Sequence, residues 1–425
     1  MHVALLALGS RGDVQPFVAL GLALQARGHS VRLLAAPDFA PLAAAYGVPF
    51  AAIGGSINAL MDRTLVYDAL DAAAAHRLPL AFARRFVAQV AAYVPGLAAD
   101  TLAGCAGADL IVASTLGVLL GAHLAERLGL PLVPAHFHPS GATAAHPDIS
   151  FPLAPPWLPL RRGYNLLSHT AARHGLWQLL AGPLNEARRR IGLPRRSRAG
   201  LWRMAASEPP LALYGYSPAI LPPPHDWPAW RRLTGFWLLN APSSYTPPAE
   251  LARFLAAGEP PVYIGFGSLL AGRDPAAVTA LLVEALRLTG RRGVIYRGTW
   301  DDLDGGALPP EVLRIGEAAH AWLFPQVAAV VCHGGAGTVA AALAAGRPVV
   351  TVPAYGDMQL WGRRAAELGV GAPPLPRAEL TAERLAAAIA TAVAPDTGAK
   401  AADLGARLRA EGGAAEAAAL LERLG

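Results

Sequence analysis

The chain has 425 residues, 53% hydrophobic and 16% charged, which is too long for one ordinary core and too apolar for intrinsic disorder, so two globular domains are expected. Lys and Arg outnumber Asp and Glu by 36 to 30, but no nucleic-acid-binding motif accompanies the excess and nucleic acid is not an expected partner. Two cysteines far apart, Cys105 and Cys332, make no disulfide framework and point to a reducing cytoplasm.

MHVALLALGSRGD lacks the basic region and cleavage site of a signal peptide, and residues 2–9 read as a first strand. A helix over 14–27 ending at Gly28, a strand from Ser30 to Pro37, a short helix and a strand at VPFAAIG follow. This βαβαβ order opens a doubly wound sheet. Residues 62–103 read as helix, Asp109 to Ser114 as strand, then a helix through Arg127 and a short strand at LPLVPA. The apolar stretch from Leu110 to Ala125 is shorter than the roughly 20 residues that span a bilayer, so no transmembrane segment is predicted. Residues 139–165 are Pro-rich and read as loops over a cleft, 166–192 as helix, and PLALYGYSP from Pro210 as strand.

The polar, Pro-rich stretch 239–250 is the best linker candidate. The expected division is residues 1–240, a linker over 241–258, and a second α/β series over 259–425. In that series PPVYIGFGS reads as strand, 275–290 as helix and GVIYRG as strand.

The most informative stretch is Val327 to Gly371. The apolar run to Cys332 reads as a buried strand. It meets His333-Gly334-Gly335-Ala336-Gly337-Thr338 and then an Ala/Leu helix, and PVVTVP forms the next strand. A strand feeding a glycine-rich turn into a helix N-terminus offers bare N–H groups to a phosphate. Glycine there lets a diphosphate approach the backbone. Asp357 follows the next strand, where ligands of open α/β sheets collect. A phosphorylated, nucleotide-linked ligand is expected. No CxxC or HExxH spacing points to a metal, and no cofactor is expected.

These pieces resemble family 1 glycosyltransferases of the GT-B fold, in the branch of sterol glucosyltransferases and bacterial natural-product glycosyltransferases. GSRGDVQP (Gly9 to Pro16), PPVYIGFGS (Pro260 to Ser268), WLFPQVAAVVCHGGAGT (Trp322 to Thr338) and WGRRAAELGVG (Trp361 to Gly371) carry the resemblance, in the family's order. It implies two Rossmann-like domains facing across a cleft. The implied reaction is inverting, metal-independent transfer of a hexose from a nucleoside diphosphate sugar, UDP-glucose first, to a hydroxyl.

The resemblance makes Asp13 the catalytic base; the competing reading is an N-cap, which would lower its pKa and weaken it. It assigns Ser10, Arg11 and Gly12 to the donor side of the cleft, and His333 with Gly335, Ala336, Gly337 and Thr338 to the diphosphate. Ser268 offers another hydroxyl. Trp322 lines the base pocket or is a core aromatic. Asp357 holds sugar hydroxyls or caps a helix. The family places Gln directly after that acid; here Met358 intervenes and the amide is Gln359. Asp302-Leu303-Asp304 matches a metal-binding DxD but reads as solvated loop.

The acceptor is expected under the Pro-rich loops, with His136, His138, Phe151 and Trp157 in its wall. That lining is mostly apolar and fits a lipophilic hydroxyl compound such as a sterol, hopanoid or polyketide. Between Trp157 and Arg203 lie ten Arg, one acidic residue and the tryptophans 157, 177 and 202. This stretch reads either as a surface touching anionic lipid at the inner face of the membrane or as a solvated helical face. The rivals are a GT-B epimerase or hydrolase and a non-catalytic nucleotide-sugar-binding homologue or accessory partner. A dehydrogenase lacks its GxGxxG fingerprint here.

Overall fold

The structure, a computed structural model, describes residues 1–55, 80–155, 157–206, 208–266, 275–298, 307–354 and 356–424. Ser268 and the Asp302–Asp304 pattern lie outside the described residues, as does the expected helix before residue 80.

The first half runs β1 (His2–Leu6), α1 (Arg11–Gln25), β2 (Ser30–Ala35), α2 (Ala40–Ala45), β3 (Phe50–Ala52), α3 (Leu80–Gly104), β4 (Leu110–Ser114), α4 (Gly117–Leu128), β5 (Leu132–His136), α5 (Arg161–Arg190), α6 (Arg198–Ala206), β6 (Ala212–Tyr214) and β7 (Arg231–Leu233). Its seven strands are parallel in the order β3-β2-β1-β4-β5-β6-β7. The central strands are apolar over most of their length, Val3–Leu6 in β1 and Leu110–Ala113 in β4, because both sheet faces are covered. Val3, Leu5, Leu33 and Val112 pack with α1 on one face. Ala4, Leu6, Leu34 and Ile111 pack with α3 and α4 on the other.

The second half runs α7 (Ala249–Ala256), β8 (Val262–Gly265), α8 (Pro275–Thr289), β9 (Gly293–Tyr296), β10 (Val312–Ile315), α9 (His320–Leu323), β11 (Ala329–Cys332), α10 (Ala336–Ala344), β12 (Val349–Thr351), α11 (Asp357–Glu367), α12 (Ala382–Ala392), α13 (Pro395–Ala410) and α14 (Gly413–Glu422). Its five parallel strands are ordered β10-β9-β8-β11-β12. The expected pair of parallel, doubly wound sheets is present. Helix α7 lies inside the segment read as linker. Helix α14 packs on α1, with Ala417, Ala418, Leu420 and Leu421 in the first sheet's core.

Strand order reverses between β1 and β4 in one sheet and between β8 and β11 in the other. A crevice opens at the carboxyl ends of the strands at such a point. The turn after β1 holds Gly9 and Ser10 and leads to Asp13 in the first turn of α1, and the turn after β11 holds His333 to Gly335 and leads into α10, so both sequence motifs occupy switch points.

Two boundaries differ from the sequence reading. The first strand stops at Leu6 and α1 starts at Arg11 rather than residue 14, because Ser10 and Asp13 cap the helix and draw the motif into its first turn. Helix α5 starts at Arg161, five residues before the expected position. Pro159 ends the loop, and inside the new helix Tyr164 Oη donates to the Pro152 carbonyl at 2.8 Å.

Candidate active site

Asp13 is the third residue of α1. Its Oδ2 accepts from the Ser10 N–H at 2.8 Å and the Ser10 hydroxyl at 3.1 Å, closing a capping box. The N-cap is therefore Ser10 and not Asp13, which answers it from the third helical position. The two hydrogen bonds favour the carboxylate, but burial opposes it more strongly, and the nearby Asp357 adds a like charge. The balance raises the pKa to about 6. The residue as a whole is half-buried, while protein atoms crowd its carboxyl closely. Gly9 makes room for it: its φ is +135°, and a Cβ there would stand 2.2 Å from Asp13 Oδ2. A carboxyl with a pKa of about 6 is mostly ionised at pH 7 yet basic enough to be a competent proton acceptor there.

Arg11 turns away from the core. Its Nη1 donates to Glu317 Oε2 at 2.7 Å and its Nε to Gln15 Oε1 at 3.2 Å. Glu317 belongs to the second half, so this pair bridges the mouth of the cleft. Sequence reading missed Glu317; the available signal was an acid in a Gly-containing turn just after a strand.

On the opposite wall Gly335 caps α10, and Ala336, Gly337 and Thr338 form its first turn. Their N–H groups have no helical acceptor and carry the positive end of the helix dipole. The His333 ring lies over this turn: a Cβ on Gly335 would meet His333 Nε2 at 2.5 Å, so any larger residue would displace the ring. His333 Nδ1 is buried without a hydrogen-bond partner. Burial lowers the ring's pKa to about 4, against a smaller opposing pull from Asp357. The ring is neutral at pH 7 and keeps one N–H to donate. A Cβ on Gly337 would lie 4.0 Å from the Cα of Gly12, so the two motifs face each other.

Asp357 is the first residue of α11, and the cap is Gly356 rather than Asp357. Asp357 Oδ2 accepts from the indole N–H of the fully buried Trp361 at 3.0 Å, which orients the carboxylate. Met358 is buried and Gln359 is exposed on the helix surface. Asp357 lies close enough to Asp13 and to His333 for its charge to influence the ionisation of each. Trp322 is half-buried at the edge of the core, its ring 6.0 Å from Tyr245. Below it His320 stacks on Phe324 at 4.2 Å, a second histidine that sequence reading passed over. Among the described residues no group of three or more His, Cys, Asp or Glu is placed to hold a metal ion.

Further along the first sheet, His136 Nδ1 lies 3.0 Å from the Thr115 hydroxyl. Burial lowers its pKa to about 3, helped by His138 and Arg231. The His136 and His138 rings are 6.4 Å apart, while Phe137 between them packs into the core against Phe17 and Trp237. Phe151 is half-buried. Trp157 is 78% exposed.

Comparison with known proteins agrees with this architecture. The glycosyltransferase family 28 N-terminal domain matches residues 3–147, and the erythromycin biosynthesis protein CIII-like C-terminal domain matches residues 298–424. The sterol 3-beta-glucosyltransferase of Neosartorya fischeri is 34% identical over 430 residues, covering 98% of this chain and 29% of the relative. That of Penicillium rubens is 34% identical over 383 residues, covering 87% and 27%. The chain thus spans less than a third of the length of these curated relatives. Among solved structures, the kitacinnamycin glycotransferase superposes with a TM-score of 0.69 at 20% identity, covering 99% of this chain and 98% of that one. The glycosyltransferase VinC, solved in complex with dTDP, gives 0.67 at 22% identity, covering 100% and 99%. At that identity the likeness establishes the fold. With matched domains in the same order, two facing parallel-sheet halves and the motifs at both switch points, the chain belongs to the family 1 glycosyltransferases of the GT-B fold.

Proposed function

We propose that this chain is an inverting, metal-independent glycosyltransferase that moves a hexose from a nucleoside diphosphate sugar to a hydroxyl of a lipophilic acceptor. The observation that carries it is the meeting of the Asp13 turn and the α10 N-terminus across the cleft, Gly12 against Gly337. Asp13 takes the acceptor's hydroxyl proton as that oxygen attacks the anomeric carbon. The bond from that carbon to the diphosphate oxygen breaks, and the electron pair leaves with the diphosphate. The first-turn N–H groups of α10, the Thr338 hydroxyl and the His333 N–H stabilise the departing negative charge. Asp357, held by Trp361, faces the sugar hydroxyls.

UDP-glucose is the first donor to test, because the relatives named above are glucosyltransferases. A sterol or another flat, apolar alcohol is the first acceptor class, beside His136, His138 and Phe151. Ser268 and Trp322 keep their proposed donor roles, and the cytoplasm is the proposed setting.

Calorimetric titration with UDP-glucose, dTDP-glucose and UDP, without and with Mg²⁺, tests the donor side. Micromolar binding indifferent to Mg²⁺ supports the reading; no binding of any nucleotide overturns it. Transfer from the bound donor to a sterol, lost in Asp13→Asn with donor binding kept within a few-fold, supports the base. Donor binding with no turnover on any alcohol would favour the non-catalytic homologue.

A further inference from the structure

The first turns of helix α5 are amphipathic in the wrong sense for a soluble surface, although the helix buries Trp177, Leu180 and Leu184 further along. Its inner side buries polar residues: Asn165 Nδ2 donates to the Ala144 carbonyl at 2.9 Å, and Ser168 Oγ accepts from the Asp148 N–H at 2.8 Å. His169 Nε2 donates to the His146 carbonyl at 3.1 Å, with Nδ1 3.6 Å from Asp148 Oδ2. These bonds pin the Pro-rich loop to the helix. The loop before the helix and its first turns then present apolar groups to solvent. Trp157 is 78%, Leu160 76% and Leu167 66% exposed, and Leu153 and Leu166 are exposed beside them. Five of the eight large hydrophobics exposed among the described residues thus fall within this short segment.

A rigid, clustered apolar surface of this kind marks a contact site rather than scatter. Its charge indicates what contacts it. Arg161 and Arg162 are exposed in the same turn, and no acidic residue occurs between Asp148 and Glu186. An indole, leucines and arginines exposed together within one short segment match the boundary between acyl chains and anionic headgroups. The arginine- and tryptophan-rich stretch read from the sequence is narrowed accordingly: Trp177 is buried against His123 and takes no part.

We infer that the loop and helix face from Leu153 to Leu167 docks the first domain onto an anionic membrane surface, with Trp157, Leu160 and Leu167 inserted and Arg161 and Arg162 at the headgroups. This inference does not depend on the identity of donor or acceptor.

The test is co-sedimentation of the full chain with phosphatidylglycerol-rich vesicles and with neutral phosphatidylcholine vesicles. The wild type should bind the anionic vesicles and bind the neutral ones more weakly. Trp157→Ser with Leu160→Ser and Leu167→Ser should lower partitioning at least about tenfold at an unchanged melting temperature. Arg161→Glu with Arg162→Glu, confined to exposed charges, should abolish the preference for anionic vesicles and serves if the triple variant misfolds. Failure of the wild type to bind either vesicle, or equal binding by both variants, overturns the inference. So does a wild-type dimer, measured by light scattering, that the triple variant dissolves without any vesicle binding, since the face would then join two copies.

Discussion

At Asp13 the competition between capping and burial is decided by magnitude. Two hydrogen bonds from Ser10 would pull the pKa down, yet burial raises it to about 6, above its ordinary 3.8. The sign of the linkage follows. A carboxyl whose folded pKa lies above its unfolded value costs stability as pH rises through roughly 4 to 6, because the fold must then hold the charge. Asp13→Asn should therefore stabilise the protein at pH 8 by about 1–3 kcal/mol while leaving stability near pH 4 little changed. Urea denaturation at the two pH values checks this; equal effects at both would show that Asp13 is not shifted. The same group should give kcat/KM a limb that rises with pH around 6, measured with the acceptor that the search finds. Gly9→Ala should push the Asp13 carboxyl aside and cost about a hundredfold in turnover, with far-UV circular dichroism unchanged. Wild-type turnover in that variant would mean that the carboxyl position is not critical.

At the scale of elements, the turn into α10 carries the donor side. Gly335 is small because His333 Nε2 would be 2.5 Å from a Cβ. Gly335→Ala should swing the ring off the helix N-terminus and weaken donor binding by about tenfold, as should His333→Ala, through loss of one charge-assisted hydrogen bond. Calorimetry with the donor nucleotide reads both, and an unchanged affinity in both would remove His333 from the site. Strand, turn and helix were legible here because an apolar run, three glycines and an Ala/Leu run each admit one local structure. The partner of Asp357 was less legible. Trp361 lies four residues on, but only the folded helix shows that its indole N–H points back at the carboxylate.

For the whole molecule, the last helix matters most. α14 crosses back to the first domain and buries Leu421 completely beside α1, and His29 Nε2 lies 2.8 Å from Glu422 Oε1. The chain's end thus fastens the two halves together. Leu421→Ala should cost about 2–4 kcal/mol, read by chemical denaturation as one shifted transition. A loss confined to a separate, early transition would mean that α14 stabilises only itself. The Arg11–Glu317 pair closes the opposite side of the cleft at an exposed position, where an ion pair adds little stability.

Local chemistry in the sequence determined the two parallel-sheet halves, the two glycine-rich turns and the residue types at their tips, since hydrophobic period and glycine placement act over a few residues. Tertiary structure alone decided the rest. It brought Gly12 against Gly337, set Glu317 on Arg11, returned α14 to α1 and turned Leu166 and Leu167 of α5 outward. Each of these is a contact between groups far apart in the chain, or a choice of which helix face the core accepts. Asp13 depends on both, for its cap is written in four consecutive residues, while the burial that overrides the cap comes from everything packed around it.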